Sequence, residues 1–400
     1  MFVRRLQLHD FRSYADVGVD FGPGLTVITG HNGAGKTNLL EAVSYLSSGR
    51  SFRGAPTEAL VRLGSDRGFV RCDAVSADRN LLLEAELVVS GRSRMLLNKQ
   101  PVRSDGDRRA GLTVTVFSPD DLVIIKGGPG ERRAVLDRLL EASHPRNGAL
   151  LADLDKILRQ RNALLKQSGG RLTAEIGFTL DVWDDKLADI GAAVVKARTE
   201  LLDDLAPHMQ TAYDDIADVS SSVSLTYRCS FDAPLAQALL AGRSDDVRRG
   251  LSLVGPHRDE IEVRIGSRPS RTHASQGEQR TLALALQLAG HRLLTERLEA
   301  APILLLDDVF SELDPLRSDA LIRSLPPGQT LLATAGAVPS SASVESRVVV
   351  ERGGHDGVGS AVRRWTHADN ANRTPQAVEK PGEFVDEIAF PNAKLHESEL

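Results

Sequence analysis

The stretch Gly30-His31-Asn32-Gly33-Ala34-Gly35-Lys36-Thr37 satisfies G-x-x-x-x-G-K-[ST] at every fixed position. Glycines at that spacing let backbone N–H groups curl around phosphate oxygens. The lysine neutralises charge between the β- and γ-phosphates, and the Thr37 hydroxyl is a hard ligand for Mg²⁺. The start of the following helix adds its own partial positive charge at Thr37 and Asn38. Far downstream, Asp307 and Asp308 follow the apolar run Ile303-Leu304-Leu305-Leu306. That is a Walker B pattern: Asp307 is expected to hold Mg²⁺ through water, and Asp308 to orient or deprotonate the attacking water. Lys36, Asp307 and Asp308 are therefore the expected catalytic set. A second Gly-bearing loop, Ser275-Gln276-Gly277-Glu278, opens an apolar helix and has the form of another anion site.

These residues need particular elements to hold them. A β-run from Leu25 to Thr29 leads into the phosphate loop, and a helix is expected from Lys36 to about Ser47. Ile303–Leu306 predicts a strand buried on both faces. Phe2–Leu8 reads as β, separated from Leu25 by the turn Gly22-Pro23-Gly24, and Leu81–Val89 with Ser93–Leu97 predicts a hairpin. From Glu131 the period changes: Leu136, Leu139, Leu140, Leu151, Leu154, Ile157, Leu158, Leu164 and Leu165 recur at helical spacing, and a second helical stretch is expected from Phe178 to Ala217. β-type runs return at Ser252–Gly255 and Ile261–Ile265. The whole is an α/β chain with a mixed sheet and an inserted, mostly helical lobe.

The totals narrow the class. No run of about 18 apolar residues occurs, which argues against a membrane span, and the charged N-terminus is unlike a signal peptide. With only two cysteines there is neither a disulfide framework nor a zinc spacing, and a cytoplasmic location is expected. The net charge of −5 mildly opposes nucleic-acid binding, yet twelve Lys/Arg against eight Asp/Glu lie between Arg50 and Arg109. That permits a basic face without demonstrating one. A guanine-reading N-K-x-D is missing, the nearest string being Asn98-Lys99-Gln100-Pro101.

The order of phosphate loop, Ser-x-Gly helix start and Walker B resembles the ABC-type ATPases. In that class the signature loop of one subunit caps the γ-phosphate held by the other, so Ser275, Gln276, Gly277 and Glu278 would serve the neighbour's ATP. Ser311-Glu312-Leu313-Asp314 then resembles the D-loop at the same contact. Within the class the chain resembles the RecF family, on Leu8-His9-Asp10-Phe11-Arg12-Ser13-Tyr14, Asn38-Leu39-Leu40-Glu41-Ala42, Phe117-Ser118-Pro119-Asp120-Asp121-Leu122, Gly127-Gly128-Pro129 with Arg132-Arg133 and Leu136-Asp137, Leu253-Val254-Gly255-Pro256-His257-Arg258-Asp259, and Leu304 through Asp314.

The resemblance, which covers roughly residues 1 to 350, implies an ATP-dependent DNA-binding homodimer. It would act on duplex DNA and single-strand gap junctions with RecO and RecR, and be a weak, DNA-stimulated ATPase. It divides the chain into residues 1–110 and 251–352 as the two halves of an ATPase lobe, 111–250 as a helical insertion, and 353–400 as an acidic tail without fixed structure. Arg12 would approach nucleotide or DNA, although a plain surface arginine explains it equally. Asp308 stands where many ABC ATPases place Glu; its shorter side chain implies slow hydrolysis. Thr334 stands where transporters have a switch histidine. A transporter's ATP-hydrolysing subunit is the alternative, disfavoured by that missing histidine.

Overall fold

A computed structural model of the chain describes residues 1–77, 79–103, 111–353, 360–366 and 376–377. Its central sheet has seven strands in the order β16 (Gln376–Ala377), β15 (Ser360–Thr366), β14 (Val344–Arg352), β3 (Leu25–Thr29), β13 (Thr330–Thr334), β12 (Ile303–Asp307) and β8 (Val114–Phe117). The strands from β14 to β8 pair in parallel, while β15 and β16 return antiparallel at one edge. β12 shows why: all five of its residues are buried. Ile303 and Leu305 enter one core while Leu304 and Leu306 enter the other, the period of two that a strand imposes. Each leucine so buried contributes about 1.5–3 kcal/mol.

The first core lies between this sheet and a six-stranded antiparallel one, ordered β2 (Tyr14–Asp20), β1 (Phe2–Phe11), β4 (Arg67–Ser76), β5 (Arg79–Val88), β6 (Arg94–Leu97) and β7 (Gln100–Pro101). The helix α1 (Lys36–Ser48) is threaded between them, with Leu39, Leu40, Val43 and Leu46 fully buried. Gly49, at φ 68°, ends it by bonding its N–H to the Tyr45 carbonyl at 2.7 Å, the left-handed cap that glycine adopts without a Cβ penalty.

On the other face lie the helices α2 (Val123–Lys126), α3 (Pro129–Ser143), α4 (Pro145–Gln167), α5 (Ala174–Ile216) and α6 (Leu235–Arg249). A small antiparallel sheet of β9 (Val223–Arg228), β10 (Glu260–Ile265) and β11 (Arg268–Pro269) joins them. It leads through α7 (Ser270–His273) into α8 (Gln276–Arg297), and α9 (Pro315–Arg323) follows β12. Of the apolar residues expected to share helical faces, Leu136, Leu139, Leu140, Leu151, Leu154, Ile157 and Leu158 belong to one core with Leu282, Leu286 and Leu304, while Leu164 and Leu165 join a separate small cluster with Leu180 and Val247.

Charged groups join the helical part to the segment before β10. Arg161, with 0% exposure, donates to Asp184 at 2.7 Å, Asp246 at 2.7 Å and the Ser252 hydroxyl at 2.8 Å. Arg198 binds both oxygens of Asp137 and the Pro256 carbonyl, and Arg132 forks onto Glu260.

Three expectations change. Ser252–Gly255 is not a strand; its backbone is held by side chains, with Leu253 N–H donating to Asp246 at 2.9 Å and Ser252 N–H to Asn162 at 2.8 Å. β8 falls within the 111–250 stretch yet is an edge strand of the parallel sheet, paired with β12, and β9 lies there too. Ser360–Thr366, expected in an unstructured tail, pairs with β14 as β15. Apart from β15 and β16, the tail beyond Gly353 lies outside the described residues.

Candidate nucleotide site

The phosphate loop connects the end of β3 to the start of α1, so its N–H groups collect where strand carboxyl ends meet a helix amino end. Gly30, Gly33 and Gly35 have φ of 150°, 74° and 115°, values open to glycine and costly for other residues. The Lys36 ammonium donates to the carbonyls of Gly30 at 2.9 Å and His31 at 3.1 Å, closing the loop around itself. Burial lowers the Lys36 pKa, while Asp308 and Asp307 oppose that shift. Asn38 donates its amide to Ser13 at 2.8 Å, and the buried Tyr14 donates its hydroxyl to the Gly35 carbonyl at 3.0 Å.

Thr37 and Asp307, far apart in the chain, meet: the Thr37 hydroxyl donates to Asp307 Oδ1 at 2.8 Å. The parallel pairing of β3 with β13 and of β13 with β12 sets this register. Burial raises the Asp307 pKa; the Thr37 bond, Arg53 and Lys36 pull it down, and Asp308 pushes it up. A hydroxyl and a carboxylate side by side are the donor set that Mg²⁺ uses when the remaining ligands are water and substrate phosphates. The residues present therefore fit that ion. Asp308 turns the chain off β12 at φ 50°. Its N–H is held by the Ala333 carbonyl at 2.8 Å and its own carbonyl by the Ser311 hydroxyl at 2.7 Å. That left-handed backbone costs about 1 kcal/mol and keeps the second carboxylate beside the first.

The Ser275 loop is built separately. Ser275 caps α8, accepting the Glu278 N–H at 3.3 Å, and Glu278 returns a bond to the Ser275 N–H at 2.6 Å, a reciprocal capping box. Those bonds hold Glu278 below the usual carboxylate range. Ser275 and Gln276 are exposed, and Gly277 has the Arg317 guanidinium against it. Among the described residues, no hydrogen bond or ion pair joins this loop to the phosphate loop. Ser311, Glu312 and Asp314 are exposed beside it, with Arg280 pairing with Glu312 at 3.1 Å.

Arg12, for which a nucleotide or DNA approach and a plain surface role were equally open, has its guanidinium on α1 and Ala59. It sits at φ 54° and directs Nε and Nη2 to the two oxygens of Glu41, each at 2.8 Å, with Nη1 on the Ala59 carbonyl. Glu41 is fully buried, so Arg12 is a clamp between the β1–β2 turn and α1. Thr334 is 1% exposed and its hydroxyl accepts the Gly336 N–H at 3.1 Å; it shapes its own turn. His257 and Arg258 both bond the Ser252 carbonyl, and burial pushes His257 down to about 4. Sequence reasoning missed Arg53, an exposed side chain whose charge acts on Asp307. Nothing in its local pattern marks it, because the proximity arises only when the segment after α1 folds back along the helix, where the Ser51 hydroxyl bonds Glu41.

The comparisons agree with this geometry. The sequence profile described as RecF/RecN/SMC N terminal domain matches residues 2–330. The chain is 40% identical to the DNA replication and repair protein RecF of Cutibacterium acnes, over 84% of this chain and 92% of that one. Solved structures of the recombination mediator protein RecF in the RecFOR pathway superpose well. The ATP form gives a TM-score of 0.82 at 30% identity, covering 91% of this chain and 98% of that chain. The ATPrS form gives 0.80 at 29% identity, covering 90% and 98%. An SMC head bound to the C-winged helix domain of ScpA, 18% identical with a TM-score of 0.57 over 93% and 99% of the two chains, shares the fold. By sequence and by structure alike, the chain belongs to the RecF family.

Proposed function

We propose that the protein is an ATP-driven, DNA-binding dimer of recombinational repair. The carrying observation is the division of the site: Thr37 and Asp307 complete one half by direct contact, while Ser275 and Gln276 remain exposed elsewhere on the same chain. Two chains facing head to tail place each Ser275 loop over the other's phosphate loop, so both sites are shared. On this reading Gly30 to Gly35 cradle the phosphates and Lys36 neutralises them. Thr37 and Asp307 would hold Mg²⁺, which would supply charge neutralisation on the phosphates. Asp308 aligns the attacking water. Its side chain is one methylene shorter than Glu, which supports slow turnover, so ATP acts as a switch and hydrolysis as release.

The relatives' names and the RecFOR pathway support DNA, RecO and RecR as partners, with duplex–gap junctions as the expected DNA. Membership of the RecF family leaves the transporter-subunit reading without support. Among the described residues, no helix is long and apolar enough to cross a membrane. The test is molar mass by light scattering, with and without ATP and then with gapped DNA. We expect a monomer that doubles in mass only with ATP, binds DNA in that form, and fails to do so as Lys36→Met or Ser275→Arg. A mass unchanged by ATP, with no DNA retained at moderate salt, would overturn it.

A further inference from the structure

The chain's last described hairpin wraps the phosphate loop at positions the sequence motif does not name. A Cβ built at Gly30 would stand 2.2 Å from the Val350 carbonyl oxygen, one at Gly33 2.8 Å from Arg352 Nη2, and one at Gly35 2.6 Å from Ser360 Oγ. Ser360 also donates its N–H to the Ser13 carbonyl at 3.0 Å, and its hydroxyl meets Ser13 Oγ at 2.8 Å. β14 and β15 therefore follow the loop from Gly30 to Gly35. Val350 and Ser360 are buried and act as backing.

Arg352 is different. It is exposed at the carboxyl end of β14, the side of a parallel sheet on which ligands gather. Its guanidinium rests on Gly33, and its recorded hydrogen bond, Nε to the Gly33 carbonyl, is long at 3.5 Å. Among the described residues no carboxylate forms an ion pair with it. A planar fork of donors in that position matches a phosphate oxygen pair far better than a single distant carbonyl.

We propose that Arg352 is a second phosphate-binding cation of the nucleotide site, joining Lys36 on the polyphosphate held by the loop. This rests on reading the loop as a nucleotide site. The competing role is a brace that supports only the Gly33 carbonyl. A glutamine keeps a donor for that carbonyl but loses the charge, so it separates the two.

The test is equilibrium titration of a fluorescent ATP analogue with Mg²⁺ into wild type, Arg352→Ala, Arg352→Gln, Arg352→Lys and Lys36→Met, with thermal midpoints measured in parallel. We expect Arg352→Ala and Arg352→Gln each to weaken binding by about ten-fold or more, as for a lost charge-assisted bond. Arg352→Lys should retain most of the affinity, and the salt dependence should flatten in the glutamine variant. Midpoints should stay within a degree or so of wild type, the side chain being exposed. Affinity restored by glutamine, or unchanged in all three Arg352 variants while wild type binds and Lys36→Met does not, overturns the proposal alone. Failure of wild type itself to bind removes the nucleotide reading and the proposal together.

Discussion

On the proposed reading Lys36 binds the phosphates and Asp308 serves hydrolysis, and substitution separates the two roles. Lys36→Met is expected to lower ATP affinity at least a hundred-fold, by removing a charge that no neighbouring loop donor replaces. Asp308→Asn should instead leave ATP binding and dimer mass intact while reducing turnover by about 10²–10⁴; equal loss of binding in both would contradict the division of labour. His291 offers a different kind of test. It is 2% exposed on α8 with Nδ1 against the Thr115 hydroxyl at 3.1 Å, and burial pushes it down to about 4. The unfolded chain therefore binds a proton that the folded one refuses. This contribution to stability is present above about pH 6.5 and is lost as pH falls toward 4, by on the order of 1 kcal/mol per pH unit. Urea unfolding of wild type and His291→Gln should show curves that converge as pH falls from 6.5 to 4.5. Parallel curves would rule the effect out. At this scale the sequence is most informative where spacing itself carries the chemistry, as from Gly30 to Thr37. It is silent where the partner is distant: Arg12 finds Glu41, and Arg53 comes near enough for its charge to act on Asp307, only after folding.

At the scale of elements, the start of α8 is where the cap seen in the structure and the proposed assembly role of Ser275 can be separated. Ser275 caps the helix, so Ser275→Ala should cost about 1 kcal/mol of stability. Asp is an equally good cap, yet it would set a carboxylate where a neighbour's γ-phosphate is to lie. Ser275→Asp is therefore expected to keep the wild-type unfolding midpoint and to lose ATP-dependent dimerisation, whereas an ATP-driven dimer in that variant would place the loop elsewhere. Elements with a sustained period were legible, as in α3, α4 and α5, and β12 was legible from its wholly apolar run ending in two aspartates. Ser252–Gly255 misled because a short apolar run has no period of its own, and its backbone bonds go to Asp246 and Asn162 rather than to a strand. β15 was missed because its pairing with β14 crosses a stretch rich in glycine and polar residues.

At the scale of the whole molecule, buried arginines tie the helices to one another and to the segment before β10. Arg161 binds carboxylates from α5 and α6 and the segment before β10 at once, so Arg161→Ala leaves Asp184 and Asp246 without that partner. A loss of about 3–5 kcal/mol is expected in urea titration. The exposed pair Arg159–Asp155, 68% open on both sides, should yield under about 0.5 kcal/mol for Arg159→Ala. Similar losses for the two would mean the hub does not tie the parts together. None of this network was visible beforehand, since its members are spread from α4 to the Ser252 segment. The shared site is the central claim, and mixing two inactive chains tests it directly. A Lys36→Met chain lacks a working phosphate loop and a Ser275→Asp chain lacks a working cap, so neither is expected to form an active homodimer. A mixed dimer, however, unites one intact loop with one intact cap. ATP hydrolysis, absent from either variant alone, should reappear on mixing the two in equal amounts, at no more than about half the wild-type rate because each mixed dimer holds one complete site. No activity at any mixing ratio, with mixed dimers demonstrated, would contradict a site built from two chains.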